Sequence, residues 1–146
     1  DYTAALFGAA MHVSEIQIWT DVDGVLTTDP KKVKEAFPQP VLSYVEAMEM
    51  SHFGAKVIYP PTLQPAFSKK IPLRIKNTFN PEFPGTLIGE TSEKREFLIK
   101  GISSIETVAL INLQGSGMVG VPGVASRLFG ALASKNISII LITHAS

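Results

Sequence analysis

The densest set of side chains able to do chemistry lies between Thr20 and Lys32, in the run Thr-Asp-Val-Asp-Gly-Val-Leu-Thr-Thr-Asp-Pro-Lys-Lys. Asp21 and Asp23, just ahead of Gly24, fit a phosphoryl-transfer scheme in which the first carboxylate attacks phosphorus and the second moves a proton. That scheme also needs acids farther along the chain to hold Mg²⁺, and Asp29 is the last Asp in the sequence. The covalent scheme is therefore set aside, and the plain alternative for both residues is that they form turns. Lys31 and Lys32 are either solvated charges or cations that offset phosphate. Lys56 sits among Ala55, Val57 and Ile58, so its stem runs along apolar surface or its ammonium meets a buried partner. Gly115, Gly117 and Gly120 have the spacing of a dinucleotide-binding turn. The acid that such a site needs about 20 residues on, for the ribose hydroxyls, is missing, because no Asp or Glu follows Glu106. These glycines are read as a tight turn that lets a helix approach a sheet. His12 and His52 have no companions at ligand spacing, so both are read as structural or surface residues and no metal site is predicted.

Several elements must position these groups. An Ala-rich stretch, Tyr2 to Val13, has a helical period and leads into Glu15 to Trp19, whose alternation is that of a half-buried strand. Trp19 is expected in the core. The Thr20–Pro30 loop thus follows a strand, and in an open α/β sheet ligands gather at that carboxyl edge. Ser43 with Glu46 three residues on has capping-box spacing and predicts a helix running toward Gly54. Pro61 can open another helix, Pro72 to Lys76 reads as a short strand, and residues 77–86 read as a loop. The charged run Glu90 to Glu96 is taken as an interdomain linker, with the first domain covering residues 1–90 and the second 91–146. In the second, strands are expected around Phe97–Ile102, Thr107–Leu113 and Ile137–Thr143. Between the last two, a helix over 122–135 presents Val124, Leu128, Phe129 and Leu132 on one face and stops at Asn136.

Composition narrows the function classes. The 146 residues are 45% apolar and 18% charged, the profile of a globular protein with one or two modest cores. Thirteen basic and thirteen acidic residues cancel, which leaves no electrostatic footprint for nucleic acid or an anionic membrane surface. Cysteine is absent, which removes disulfides, thiolate nucleophiles and Cys-bound zinc and fits a cytoplasmic setting. No apolar run approaches the ~20 residues of a membrane span. Asp1 has no initiator Met before it, and Ser146 follows a strand-like run with no tail, so the sequence is read as a piece of a longer chain.

Five blocks resemble aspartate kinases, in order: Asp1 to Ala10, Glu15 to Val25, Thr27 to Pro30, Glu46 to Pro60 and Ile75 to Gly89. The wording WTDVDGV, FGAKV, IKNT and PGTLIG, with KGIS at Lys100 to Ser103, is most similar to the kinase and ACT part of bifunctional aspartokinase/homoserine dehydrogenases. The resemblance implies an α/β fold: the C-terminal, nucleotide-binding half of an amino-acid-kinase sheet, followed by an incomplete ferredoxin-like ACT domain. It implies a parent enzyme that transfers the γ-phosphoryl group of ATP, with Mg²⁺, to L-aspartate, giving 4-phospho-L-aspartate on the route to threonine, methionine and lysine. Activity of the piece alone is not expected, because the phosphate-binding loop and its lysine would lie upstream.

Residue roles follow from the same resemblance. Asp1 corresponds to an Asp that orients a catalytic lysine and helps hold aspartate. Thr20 and Asp21 correspond to the pair lining the adenine and ribose pocket. Leu26 stands where Tyr is frequent, Lys31 where Arg is frequent, and Lys56 matches a nucleotide-contacting Lys. In the ACT part the effector site would comprise Gln114, Gly117, Met118, Val121, Ser138, Ile139 and Ile140. Threonine is the expected effector, with lysine the other candidate, in a homodimer or higher homo-oligomer. The competing functional class is a module that binds an amino acid and dimerises without turnover. A kinase for another carboxylate, such as glutamate or acetylglutamate, fits less well with the ACT extension.

Overall fold

The computed structural model describes residues 1–52, 58–90, 99–115 and 120–143. It comprises two compact units, Asp1–Thr107 and Val108–Ser146.

In the first unit, α1 (Tyr2–Met11) leads into β1 (Ile16–Thr20), β2 (Val41–Ser43), α2 (Tyr44–His52), a 3₁₀ turn at Pro60–Thr62, α3 (Leu63–Lys69), β3 (Leu73–Asn77) and β4 (Thr86–Gly89). The strands form one mixed sheet in the order β1-β3-β4-β2. β1 runs parallel to β3 with Ile16 opposite Leu73 and Ile18 opposite Ile75, β3 is antiparallel to β4, and β4 is parallel to β2. The ends of β1 and β3 therefore share one sheet edge with the starts of β4 and β2. The loop 21–40, joining β1 to β2, has to cross that edge.

The core forms where the apolar phases of these elements coincide. Ile16 and Ile18 of β1, Leu73 and Ile75 of β3, Leu42 of β2 and Ile88 of β4 are buried together with Ala47, Met50, Leu63 and Ala66 of the helices. Gly8 lets α1 approach β1: a side chain there would strike Ile16 and Val13. Helix α1 ends with His12 in the left-handed region, φ 51°, which turns the chain out of the helix toward β1. Helix α2 begins with the expected capping box: Ser43 N–H donates to Glu46 Oε2 at 2.8 Å and Glu46 N–H to Ser43 Oγ at 3.2 Å. Tyr44 buries its ring against Phe67 and donates its hydroxyl to the Ile71 carbonyl at 2.6 Å.

Three local expectations are corrected. Trp19 is 46% exposed rather than in the core. The alternation that buries Ile16 and Ile18 turns Gln17 and Trp19 outward, where the indole donates to Gln17 and lies under the Lys76 ammonium. β2 and β4, only three and four residues long, carry too little periodicity to be read from sequence, and the loop expected through Thr86 ends there as β4 begins. The strands expected around 97–102, 107–113 and 137–143 are not formed among the described residues. Within the 39-residue second unit, two extended segments and one helix bury little surface. Val108, Leu110, Ile111 and Ile139 to Ile142 are exposed, and a strand without a ladder partner has nothing to fix it. The helix α4 (Val124–Ser134) does form. Its half-buried positions are Val124, Leu128, Phe129 and Leu132, the face expected. It closes at Asn136, φ 55°, with Ile137 N–H donating to Leu132 O and Asn136 N–H to Ala133 O, a Schellman arrangement.

Candidate functional site

The loop across the sheet edge is tied from beneath by one buried hydroxyl. Thr86 is fully buried; its Oγ1 accepts the Val25 N–H at 2.8 Å and donates to the Gln39 carbonyl at 2.6 Å. Gln39 N–H in turn donates to Val25 O, and Leu26 bridges to Pro38. One side chain thus joins both limbs of the loop to the start of β4. Gly24, at φ 140°, passes close over Thr86 Oγ1, where a Cβ would collide. Because Val is the same shape without the hydroxyl, Thr86→Val leaves a buried N–H and a buried C=O without that partner. The expected loss is about 2–4 kcal/mol, read as a lower urea midpoint with unchanged slope.

Asp23 ties the loop from above. Its Oδ1 accepts the Asn77 amide at 2.8 Å and the Asn80 amide at 3.2 Å, joining the β1 loop to the loop after β3. Asn77 also accepts the Phe79 N–H, and Thr78 N–H donates to Thr20 O. Asp23 therefore does more than form a turn. Asp29 caps its own turn, accepting the Lys31 N–H at 2.9 Å.

Of the expected nucleotide residues, Thr20 ends β1, and Asp21, Leu26 and Lys31 lie on this loop, which leaves the sheet at the edge where β1 and β3 end. Thr20 is half-buried and donates its hydroxyl to Asp21 Oδ1 at 3.1 Å, and Asp21 is exposed. Leu26 is half-buried, and Lys31 is exposed. Asp1 stands at the start of α1 with no side-chain cap bond. Lys56, Gly117 and Met118 lie outside the described residues. Gln114, Val121, Ser138, Ile139 and Ile140 belong to the second unit and are exposed. The residues that sequence reasoning missed are Thr86, Asn77 and Asn80. The only signal for them was their place in the block from Ile75 to Gly89.

Among the described residues no group of three His, Asp or Glu side chains could hold a metal ion. Nor is any helix among them long and apolar enough to cross a membrane.

On the far side of β1, Glu15 and Arg74 form a half-buried ion pair at 3.0 Å, with a second bond from Arg74 Nε at 3.1 Å. Burial alone raises the Glu15 pKa. Hydrogen bonds from Arg74 and Gln17 and the nearby charges of Arg74 and Lys76 outweigh it, and the carboxyl is held below its ordinary 4.5. A depressed carboxyl contributes stability that is present above the ordinary value and lost as pH falls through the lowered one. Glu15→Gln is therefore expected to cost about 1 kcal/mol at pH 7 and nothing in strong acid, as measured by urea unfolding from pH 7 to pH 3.

Comparison with known proteins gives this geometry a family. Residues 1–77 match the amino acid kinase family, and residues 111–146 match an ACT domain. The whole chain is 48% identical to part of the bifunctional aspartokinase/homoserine dehydrogenase of Haemophilus influenzae and, over 153 aligned residues, 46% identical to that of Daucus carota, a chloroplastic protein. It covers 18% and 17% of those proteins, so it spans less than a fifth of their length. Among solved structures it is similar to E. coli aspartokinase III in complex with aspartate and ADP in the R-state, at TM-score 0.70 and 37% identity, covering 99% of this chain and 32% of that one. The T-state of that enzyme, with lysine and aspartate, gives TM-score 0.74 and 35% identity with the same coverage. The chain belongs to the amino acid kinase family, with a kinase segment that runs on into an ACT domain and resembles aspartokinases along its whole length.

Proposed function

We propose that this chain supplies the nucleotide side of an aspartate kinase that phosphorylates the side-chain carboxylate of L-aspartate at the expense of ATP. The observation that carries the reading is that Asp21, Leu26 and Lys31 lie on the loop that follows Thr20 at the end of β1. That loop crosses the edge of the sheet at the ends of β1 and β3 and is fixed by Thr86 and Asp23. An exposed carboxylate at a strand end can accept both ribose hydroxyls, and the half-buried Leu26 offers an apolar wall to a base. Lys31 and Lys56 supply cations for the phosphates, as point charges rather than the bidentate fork of Arg. Phosphoryl transfer between two anions depends on positioning and charge compensation rather than on a covalent intermediate. Mg²⁺ would arrive with ATP, screening the phosphate charge. This chain's own acids offer it no cluster among the described residues: Asp23 is engaged by two amides and Asp29 by its turn. Asp1, at the start of α1, is assigned to the aspartate side.

The ACT segment is assigned to binding an amino-acid effector through Gln114, Gly117, Met118, Val121 and Ser138 to Ile140. Threonine is preferred over lysine, because Ile139 and Ile140 put no acid where a lysine ammonium would need one. β1 is an edge strand with an open row of donors and acceptors, in keeping with a parent that supplies the rest of the sheet and assembles as a homodimer or larger. A cytoplasmic location and a homoserine dehydrogenase farther along the parent complete the reading.

The test is ADP release by the full-length parent. L-aspartate should be required for turnover, glutamate should not replace it, and Lys56→Ala should lower kcat/KM for ATP. ATP turnover indifferent to aspartate would sink the assignment. Threonine binding by a parent with no turnover at all would instead favour a sensing module.

A further inference from the structure

Resting on the nucleotide reading above, we infer that the segment Gly101–Glu106 is a positioning clasp for the nucleotide loop, closing over its outer half from Thr27 to Lys32. Thr86 holds the loop at Val25 and Gln39 and Asp23 holds it near its start, but neither bonds to the outer stretch from Thr27 to Lys32. The outer half is met from a segment some 75 positions later in the chain. Ile102 N–H donates to the Thr27 carbonyl at 2.7 Å. The Lys32 ammonium donates to Ser104 Oγ at 2.7 Å and pairs with Glu106 Oε1 at 3.1 Å. Thr27 in turn accepts the Phe37 N–H on its hydroxyl and donates its own N–H to Phe37 O, so the clasp holds a residue that spans both limbs of the loop.

Gly101 makes the close approach possible. A side chain there would push aside the flexible end of Met50 and would lie 3.0 Å from the Thr27 carbonyl oxygen, so a methyl presses directly on the contact with the loop. The contact is narrow. A groove of about 340 Å³ lined by Val45, Glu49, Met50 and Ile99 runs alongside, and Ile102, Ser104 and Glu106 keep exposed side chains. A few polar contacts, rather than a packed core, hold the clasp down.

These residues end where the second unit begins at Val108. The clasp holds Thr27 and Lys32, and Lys31 adjoins it. Lys32, which by sequence is either a solvated charge or a cation that offsets phosphate, becomes a positioning residue.

The experiment uses the full-length parent and three variants, Gly101→Ala, Lys32→Gln and, as a reference for the site itself, Asp21→Ala. Amide hydrogen exchange over residues 27–33 reads the clasp directly. KM for ATP, KM for aspartate and kcat read its consequence. Gly101→Ala and the surface change Lys32→Gln should each speed exchange there by about fivefold or more. They should raise KM for ATP several-fold, with kcat and KM for aspartate within about twofold of the unaltered enzyme. Unchanged exchange in both variants overturns the clasp. Faster exchange with unchanged KM for ATP overturns its positioning role if Asp21→Ala raises that KM. If Asp21→Ala leaves it unchanged as well, the nucleotide reading falls and takes the positioning role with it.

Discussion

Gly85→Ala is expected to lower the stability of the first unit by about 2–6 kcal/mol, adding left-handed backbone strain of ~1–3 kcal/mol to overpacking of similar size. Gly85 has φ 76°, a region that a Cβ disfavours, and a methyl there would strike the Ile75 carbonyl. That carbonyl is backbone in the middle of β3, where Ile75 pairs with Thr86, so it has no side-chain rotation by which to yield. Relief would need β4 to slide away from β3, and with it Thr86 would leave Val25 and Gln39. The same substitution should therefore loosen the nucleotide loop as well as the sheet. Urea unfolding of the chain measures the first effect. Faster amide exchange at Val25 and Gln39, under conditions where most molecules are folded, measures the second. A Gly85→Ala midpoint within experimental error of the unaltered chain would mean that the turn before β4 is more yielding than its geometry indicates.

Asp21→Ala in the full-length parent is expected to raise KM for ATP about 10- to 100-fold, the range given by losing a charged acceptor worth about 1.5–3 kcal/mol. Asp21 is exposed at the end of β1, and its only protein partner among the described residues is the neighbouring Thr20 hydroxyl, so its removal leaves the fold in place. KM for aspartate should move little, because the change lies on the nucleotide side. Asp23→Ala separates the two acids. Asp23 holds Asn77 and Asn80, so its loss should also lower stability, which Asp21→Ala should not. Steady-state kinetics with each substrate varied in turn, together with urea midpoints, tells these outcomes apart.

Which parts of this were legible in the sequence follows from how local the physics is. The α1–β1 pair, the Ser43–Glu46 capping box and the Asn136 stop each depend on residues within a few positions of one another, and each forms as expected. The position of the Asp-rich loop at a strand end was equally local. Trp19 went astray because its apolar ring was weighed above its phase: the alternation that buries Ile16 and Ile18 places it on the outer face. β2 and β4 were missed because three or four residues do not establish a period of two. The residues that hold the loop escaped for a related reason. Thr86 lies 61 positions from Val25 and Asn77 lies 54 from Asp23, so their bonds depend on the strand order. In the second unit the apolar periodicity of α4 was legible, whereas strands at 107–113 and 137–143 need ladder partners that the described residues do not supply.

The account stands on ATP binding at the loop after β1, and amide-resolved NMR of the chain titrated with Mg-ATP tests it most directly. It predicts saturable shifts concentrated at Thr20, Asp21, Leu26 and Lys31, lost in the Asp21→Ala variant, with the amides of Gln114, Val121 and Ser138 to Ile140 unmoved. Saturable shifts confined to those second-unit amides, with the loop silent, would contradict it.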